Sequence, residues 1–462
     1  MWSISILEPL LAVHFTGQFV PMLATEWKLA PDRSYLDLTL RKGVKFHDGT
    51  DFNAEACKWN LDRWIAERGG RNPQMKSAEI LDPYKVRLHL NYYTNYLFAT
   101  LGSQGGFQVS PTAYQKNGRE WARWNPVGTG PFKFVKYERD VKLTAVRFND
   151  YWQKGKPYLD GMEYVVLSDP MTSQMAFRAG KLHVTSFVGG KQAADLKAAG
   201  FKYTAEPPEV RAVHLMLASS NNPKSPLADK RVRQAISYAI NRKVYCDALG
   251  YGWIAPTNQI APSGSPAYLP ELKDLYPYNP EKAKELLKEA GYPNGFKTKL
   301  IVAPRWADPR DMKVAIQADL AKIGINVELE FPEEGKMQEY RFGKSGWGEG
   351  LIFHEWANWP LITGQISFYW NHNPDQFFDL KWPDGLWEQA QKALKTTNVE
   401  KAEMQKFTRM IFDDVTVIPV YELTKVIFSG NGVHDTNILN FGFFADWTPA
   451  DAWLEPSART KD

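Results

Sequence analysis

Two six-residue stretches early in the chain alternate strictly between apolar and polar positions. In YLDLTL, Leu36, Leu38 and Leu40 share one face, and in KVRLHL Val86, Leu88 and Leu90 do the same. A period of two over that length predicts half-buried strands. The run FVKYERDVKLTAVRF, Phe134 to Phe148, predicts two further short strands that turn at Arg139-Asp140. The first third of the chain is therefore expected to be rich in β-structure. Between the first two strands lies RKGVKFHDGTDFNAEACKWNLDRW, Arg41 to Trp64. Gly43 and Asp48-Gly49 are turn residues, and Asn53 stands where an N-cap belongs, ahead of a helix carrying Ala56, Trp59, Asn60 and Arg63.

From about Asp229 the period changes to that of a helix. DKRVRQAISYAI puts Val232, Ala235, Ile236, Ala239 and Ile240 on one stripe, and Asn241 caps a second helix that ends near Gly250. After a loop rich in Pro, Gly and Ser comes YNPEKAKELLKEAGYP. Asn279 caps it, Pro280 takes the first helical position, Ala283, Leu286, Leu287 and Ala290 are its buried stripe, and Gly291 and Pro293 end it. Next, the strand TKLIVA, a helix bearing Met312, Ile316, Leu320 and Ile323, and the strand INVELEF form a β-α-β unit, which predicts parallel pairing. Ligands of open α/β sheets bind beyond the carboxyl ends of the strands. Here those ends are Pro304-Arg305-Trp306 and Pro332-Glu333-Glu334, where Arg305 is a candidate carboxylate clamp and Trp306 a candidate stacking ring. An exposed loop arginine beside a tryptophan packed on its own lobe is the competing reading.

A chain of 462 residues exceeds one ordinary core and predicts two or three domains. A net charge of +4 with no basic stripe argues against a nucleic-acid partner. No run approaches the roughly 18 apolar residues of a membrane span, and no signal peptide opens this sequence. Two distant cysteines, Cys57 and Cys246, exclude a cysteine-based zinc site or a disulfide framework. His47 beside Asp48 has no second ligand at hairpin or helical spacing, which predicts a structural turn rather than a metal or catalytic site. Signatures of common enzymes are missing. GGK at Gly189 lacks the earlier glycine of a phosphate loop, HEW at His354 has no histidine four residues on, and VGTGPF at Val127 lacks a third glycine. No catalytic residue, metal or cofactor is expected. The unusual number is 17 tryptophans, which suggests a surface that stacks on a ligand.

Six blocks occur in a telling order. LEPLL with the following PMLATEWKLAPDRSYLDLTLRKGVKFHDGTDFNAE makes the first, and VGTGPFKFVKY and NDYWQKGKPYLDGMEYVV are the next two. AFRAGKLHVT, PLADKRVRQAISYAINR and YNPEKAKELLKEAGYPNG complete the series. In that order they resemble the peptide/nickel-binding family (family 5) of extracytoplasmic solute-binding proteins that serve ABC importers. The resemblance implies an α/β fold, a two-lobed periplasmic-binding-protein clamp of type II in its large, cluster C form. It also implies an extra β-rich subdomain on the first lobe. The implied boundaries are residues 1–36, 37–126 (the subdomain), 127–210, 211–427 (the second lobe) and 428–462, the return to lobe one. The implied hinge strands are VRAVHLML and KVIFSG.

The sequence departs from the family in two places. Six residues precede Leu7 where the family has a signal peptide and a first strand, so either the sequence starts late or an early strand of lobe one is lacking, which would leave an exposed or replaced sheet edge. Peptide binders of the family also carry an aspartate in a Gly-Asp-Pro-like segment of lobe two. The corresponding stretch here, SGWGEGLIFHEWANWPLITGQISFYW, offers Glu355 as its nearest acid. Trp347, His354, Glu355, Trp356, Trp359, Tyr369 and Trp370 in that stretch are the implied ligand contacts, with core packing as the alternative for the rings. The expected function is capture of an oligopeptide or peptide-like solute for delivery to a membrane-embedded ABC permease. An oligosaccharide or glycoconjugate is the alternative. The protein is expected to be monomeric and periplasmic or otherwise extracytoplasmic, free or lipid-anchored.

Overall fold

The computed structural model describes residues 3–14, 17–68, 73–188, 190–303, 310–343, 346–356, 377, 379–396, 400–436 and 449–458. Of the candidate contacts, Arg305, Trp306, Trp359, Tyr369 and Trp370 lie outside the described residues.

The alternating segments at the start of the chain become an antiparallel sheet. A four-residue helix α1 (Ser3–Ile6) and the pair β1 (Leu11–Val13) and β2 (Phe19–Pro21) precede β3 (Ala24–Leu29) and β4 (Tyr35–Leu40). Helix α2 (Ala54–Arg68), β5 (Met75–Asp82) and β6 (Lys85–Leu90) follow, and the four longer strands order as β3-β4-β6-β5. Leu36 lies opposite Leu88 and Leu38 opposite Val86, so the apolar faces of both repeats meet. Together with Phe46, Phe52, Cys57 and Leu61 they form one core. Asn53 caps α2 as its position predicts, accepting the Ala56 N–H at 3.0 Å. Helices α3 (Tyr96–Leu101), α4 (Pro111–Asn117) and α5 (Arg119–Trp124) lead to the meander β7 (Phe132–Glu138), β8 (Lys142–Arg147) and β9 (Gly161–Val165). Asp140 takes the left-handed conformation, φ 58°, at the expected turn between β7 and β8.

His47 lies in the expected turn, closed by the Gly49 N–H on the Phe46 carbonyl at 2.9 Å, but it is not at the surface: it is 7% exposed. The Gly128 N–H donates to its Nδ1 at 3.3 Å, so Nε2 carries the proton and donates to the Gly130 carbonyl at 2.8 Å. Its ring meets Phe148 edge-on at 4.9 Å. The glycines of VGTGPF are needed here, because a Cβ on Gly128 or Gly130 would overlap backbone of Ser5 and Ile6 in α1. Burial pushes the His47 pKa down to about 4, against the raising effect of the Gly130 bond. A surface residue would cost at most about 1 kcal/mol on truncation. Orphaning Gly128 and leaving a hole raises the expected loss for His47→Ala to about 2–3 kcal/mol. Because the folded-state pKa lies below the unfolded value, the contribution of His47 is complete above about pH 6.5 and fades as pH falls towards 4. Melting of wild type and His47→Ala at pH 7 and pH 5 checks both points, since the gap should shrink at the lower pH.

The chain divides into two compact units. One comprises Met1–Thr185, Gly200–Thr204 and Ile427–Asp462, the other Ser186–Ala199 and Ala205–Val426. Helix α6 (Pro170–Arg178) precedes β10 (Val184–Val188), and helix α7 (Gly190–Ala198) precedes β11 (Lys202–Ala205).

In the second unit a six-stranded mixed sheet carries the core. It is built from β12 (Ala212–Ala218), β13 (Ile254–Pro256), β14 (Phe296–Val302), β15 (Ile325–Glu330), β16 (Leu351–Trp356) and β17 (Val417–Leu423). The described strands order as β13-β17-β12-β16-β14-β15. Helices α8 (Lys230–Ala239), α9 (Arg242–Leu249), α10 (Pro280–Glu289) and α11 (Arg310–Lys322) accompany it, with α12 (Glu334–Phe342), α13 (Leu386–Lys395) and α14 (Lys401–Asp414) later in the chain. The β-α-β expectation is met, because β14 and β15 pair in parallel from Phe296↔Ile325 onward. The apolar stripes of α8, α10 and α11 pack into one core with β14, β16 and β17. Every residue of β12, β16 and β17 is buried. Strand β18 (Lys425–Ser429) follows β17 after one residue and lies between β10 and β11 in a three-stranded sheet.

Candidate ligand-binding site

Strand β16 brings the central candidates together. It runs antiparallel to β12, with Trp356 opposite Val213, Glu355 opposite His214 and His354 opposite Leu215. Because side chains alternate along a strand, His354 and Glu355 point to opposite faces of the sheet. His354 is held neutral, its pKa far below the ordinary value, by burial first and then by the nearby charge of Arg341 and His214. Its ring packs 5.7 Å from Phe377. Trp356 at the strand's end is fully buried. Trp347 is buried in the turn before β16, its indole N–H donating to the Gly350 carbonyl at 3.3 Å and its backbone N–H to the Asp379 carboxylate.

Glu355 sits in a charged cluster, and the rest of that cluster was not legible in the sequence. The Lys425 ammonium at the start of β18 lies 3.3 Å from the Glu355 carboxylate, with both side chains largely buried at 16% and 6% exposure. Glu206, just past β11, is tied to the same lysine through the backbone. Its N–H donates to the Lys425 carbonyl at 2.9 Å, and its own carboxylate faces the Lys425 N–H at 3.4 Å. Arg211, ahead of β12, acts on Glu206 and on Glu422 of β17, lying 4.0 Å from the latter. Glu422 accepts the Ser263 N–H at 2.8 Å and the Ser263 hydroxyl at 3.0 Å.

Three carboxylates thus meet two cations in a buried place. Burial pushes the Glu206 pKa up to about 7. Lys425 and Arg211 oppose the rise, and the negative charge of Glu355 adds to it. Burial likewise raises Glu422. A buried excess of negative charge is unfavourable unless a proton or another cation balances it. Glu206 is the group most ready to take that proton near neutral pH. Among the described residues no group of three or more His, Cys, Asp and Glu side chains is arranged to hold a metal ion.

A second buried carboxylate organises the first unit. Glu8, from the LEPLL block, accepts the Tyr151 hydroxyl at 2.7 Å, the Thr129 hydroxyl at 2.9 Å and the Trp152 indole N–H at 3.0 Å. Burial raises its pKa to about 7 against those bonds and the nearby Arg41. The Arg41 guanidinium lies 4.2 Å from the centre of the Trp152 ring. This network joins the first block to the second and third, so Glu8 acts there as a structural tie.

The model of the bacterial extracellular solute-binding proteins, family 5, matches residues 18–389, most of the chain. The chain belongs to that family. Among family 5 proteins, the glutathione-binding protein GsiB of Escherichia coli O1:K1 is 29% identical over 452 residues, which covers 92% of this chain and 84% of that protein. The periplasmic binding protein DppA of Helicobacter pylori, solved with the peptide STSA, superposes with a TM-score of 0.82. It shares 24% identity and covers 98% of this chain and 92% of its own. The binding protein AgaA of A. tumefaciens R10, solved with agropinic acid, gives a TM-score of 0.83 at 24% identity, covering 98% and 94%. The α/β fold implied by the sequence blocks is the one found, that of the type II periplasmic binding proteins.

Proposed function

We propose that this family 5 protein captures a small peptide-like solute through its free amine, outside the cytoplasm, and delivers it to an ABC permease. It acts as a monomeric binding protein and does not turn its solute over. The observation that carries this reading is the cluster of Glu206, Glu355 and Glu422 around Lys425 and Arg211, which is one positive charge short. An ammonium group supplies that charge together with N–H donors for carboxylate oxygens, and charge-assisted bonds of this kind are the strong ones. Glutathione and the peptide STSA, named with two of the similar proteins, both carry such an amine. The acid expected in the Gly-Asp-Pro-like segment is thereby replaced by carboxylates at strand ends, with Glu355 the member that the sequence pointed to. Arg305, Trp306, Trp359, Tyr369 and Trp370 remain the proposed surroundings of the solute's other groups, whereas the buried Trp347 and Trp356 are expected to serve the fold.

Calorimetry with glutathione and with a short peptide, each with its amine free or acetylated, tests the reading. The free amine is expected to bind at least about tenfold tighter at pH 8, the scale of losing one charge-assisted bond. An ammonium needs Glu206 ionised, so the advantage should shrink as pH falls through about 7. It should also shrink in Glu206→Gln at pH 8. Equal affinity for the free and acetylated forms at both pH values would sink the proposal, and saccharide binding in their place would favour the oligosaccharide alternative.

A further inference from the structure

In the first unit, helices α2, α4 and α5 border a half-open cavity of about 480 Å³ lined by Arg63, Glu67, Tyr114, Arg119, Glu120 and Arg123, among others. Arg63 and Glu67 are one turn apart on α2, and Arg119 and Arg123 are one turn apart on α5, so each pair presents its groups on one side. The chain breaks from α4 into α5 at Gly118, whose φ of +83° a side chain would strain. Arg63 is held in place by the rings of Trp59 and Tyr114, at 5.5 and 5.4 Å, and by Glu67 at 3.3 Å. Its Nε is buried and has no hydrogen-bond partner among the described residues.

Arg119 and Arg123 are poorly matched. Their nearest carboxylates, Glu67 and Glu120, are 3.9 and 4.0 Å away, and the two guanidinium side chains are 70% and 67% exposed. Glu120 is itself 81% exposed, so water screens its pair with Arg123. Three guanidiniums therefore line a cavity with two carboxylates, of which only Glu67, paired with Arg63 and Arg119, is largely shielded from water. Helix α5 buries none of its own residues, so packing does not explain its sequence, REWARW. Trp121 and Trp124 on it are 38% and 50% exposed, and Trp124 stacks flat on Tyr137 at 6.0 Å.

We propose that this cavity binds a phosphate group. Guanidinium forks match phosphate oxygens in pairs, and the anionic oxygens of a phosphate mono- or diester offset the surplus positive charge that Glu67 leaves. The phosphate belongs either to a soluble phosphate ester or to a phospholipid headgroup. The second source also suits Trp121 and Trp124, because indole rings partition to the membrane–water interface. The site is separate from the cluster around Lys425 and does not depend on the amine reading.

Titration of the full chain with inorganic phosphate at low ionic strength, and sedimentation with vesicles of phosphatidylglycerol in phosphatidylcholine, test it. Replacing Arg119 and Arg123 together by alanine should weaken phosphate binding about tenfold or more. The melting temperature of that variant should stay unchanged, because both side chains are mostly exposed. Sedimentation that is lost in the double variant assigns the phosphate to lipid, and phosphate binding without sedimentation assigns it to a soluble ester; both support the site. Absence of both, binding unchanged in the double variant, or succinate competing as well as phosphate would overturn it.

Discussion

Replacing Lys425 with methionine is expected to cost about 3–5 kcal/mol of stability at pH 8, the usual scale for breaking a buried ion pair from one side. The lysine is 16% exposed and lies 3.3 Å from a carboxylate that is 6% exposed, so water makes up little of what is lost. The loss should depend on pH in a definite direction. Lys425 is the largest of the charges holding the Glu206 pKa down, and even with it that pKa stands at about 7. Without the ammonium it rises further. A carboxyl whose folded-state pKa is raised contributes stability that is complete below its unfolded pKa and lost as pH rises through the folded value. The variant should therefore melt closest to wild type near pH 5 and fall away from it between pH 6 and 8. A constant gap across that range would mean that Lys425 matters for packing, not for charge. Glu206→Gln in the methionine background should flatten the difference.

Truncation of Trp356 is the second large effect. The side chain is fully buried and stands opposite Val213 at the end of a strand with no exposed residue. Large-to-small changes of buried tryptophans cost about 3–5 kcal/mol, because the lost transfer energy is joined by that of the cavity. Trp356→Ala is expected to lower the melting temperature of the solute-free protein strongly. A ring whose main contact is solute would behave differently, leaving solute-free melting intact while affinity falls by about tenfold or more. Melting curves of Trp356→Ala with and without glutathione separate the two outcomes. Trp347→Ala is the natural companion, since its indole and backbone N–H groups are already bonded within the fold.

Local signals in this chain were legible because local physics writes them. Alternation in YLDLTL and KVRLHL put Leu36 against Leu88 and Leu38 against Val86. Asn53, Asn241 and Asn279 cap the helices they precede, each accepting a backbone N–H three residues on. The β-α-β unit pairs in parallel. Each of these depends on neighbours within a few turns of chain, and the ordered blocks that imply the family are runs of such neighbours.

Strand β16 was missed for a physical reason as well. Buried on both faces, LIFHEW has no apolar–polar period to read. His47 is the turn residue that its neighbours predict, but its burial was not legible because it depends on Gly128 and Gly130, more than eighty positions away. The charge cluster joins residues 206, 211, 355, 422 and 425, and a carboxylate next to Pro207-Pro208 carries no mark of the lysine it will meet. Strand order decides that meeting, because β18 lies beside β11 and brings Lys425 to Glu206. By itself, then, the sequence determined the periodic elements, their caps and the family. The tertiary structure alone decided which buried charges face one another, since Coulomb energy and desolvation depend on distances in space that no spacing along the chain records.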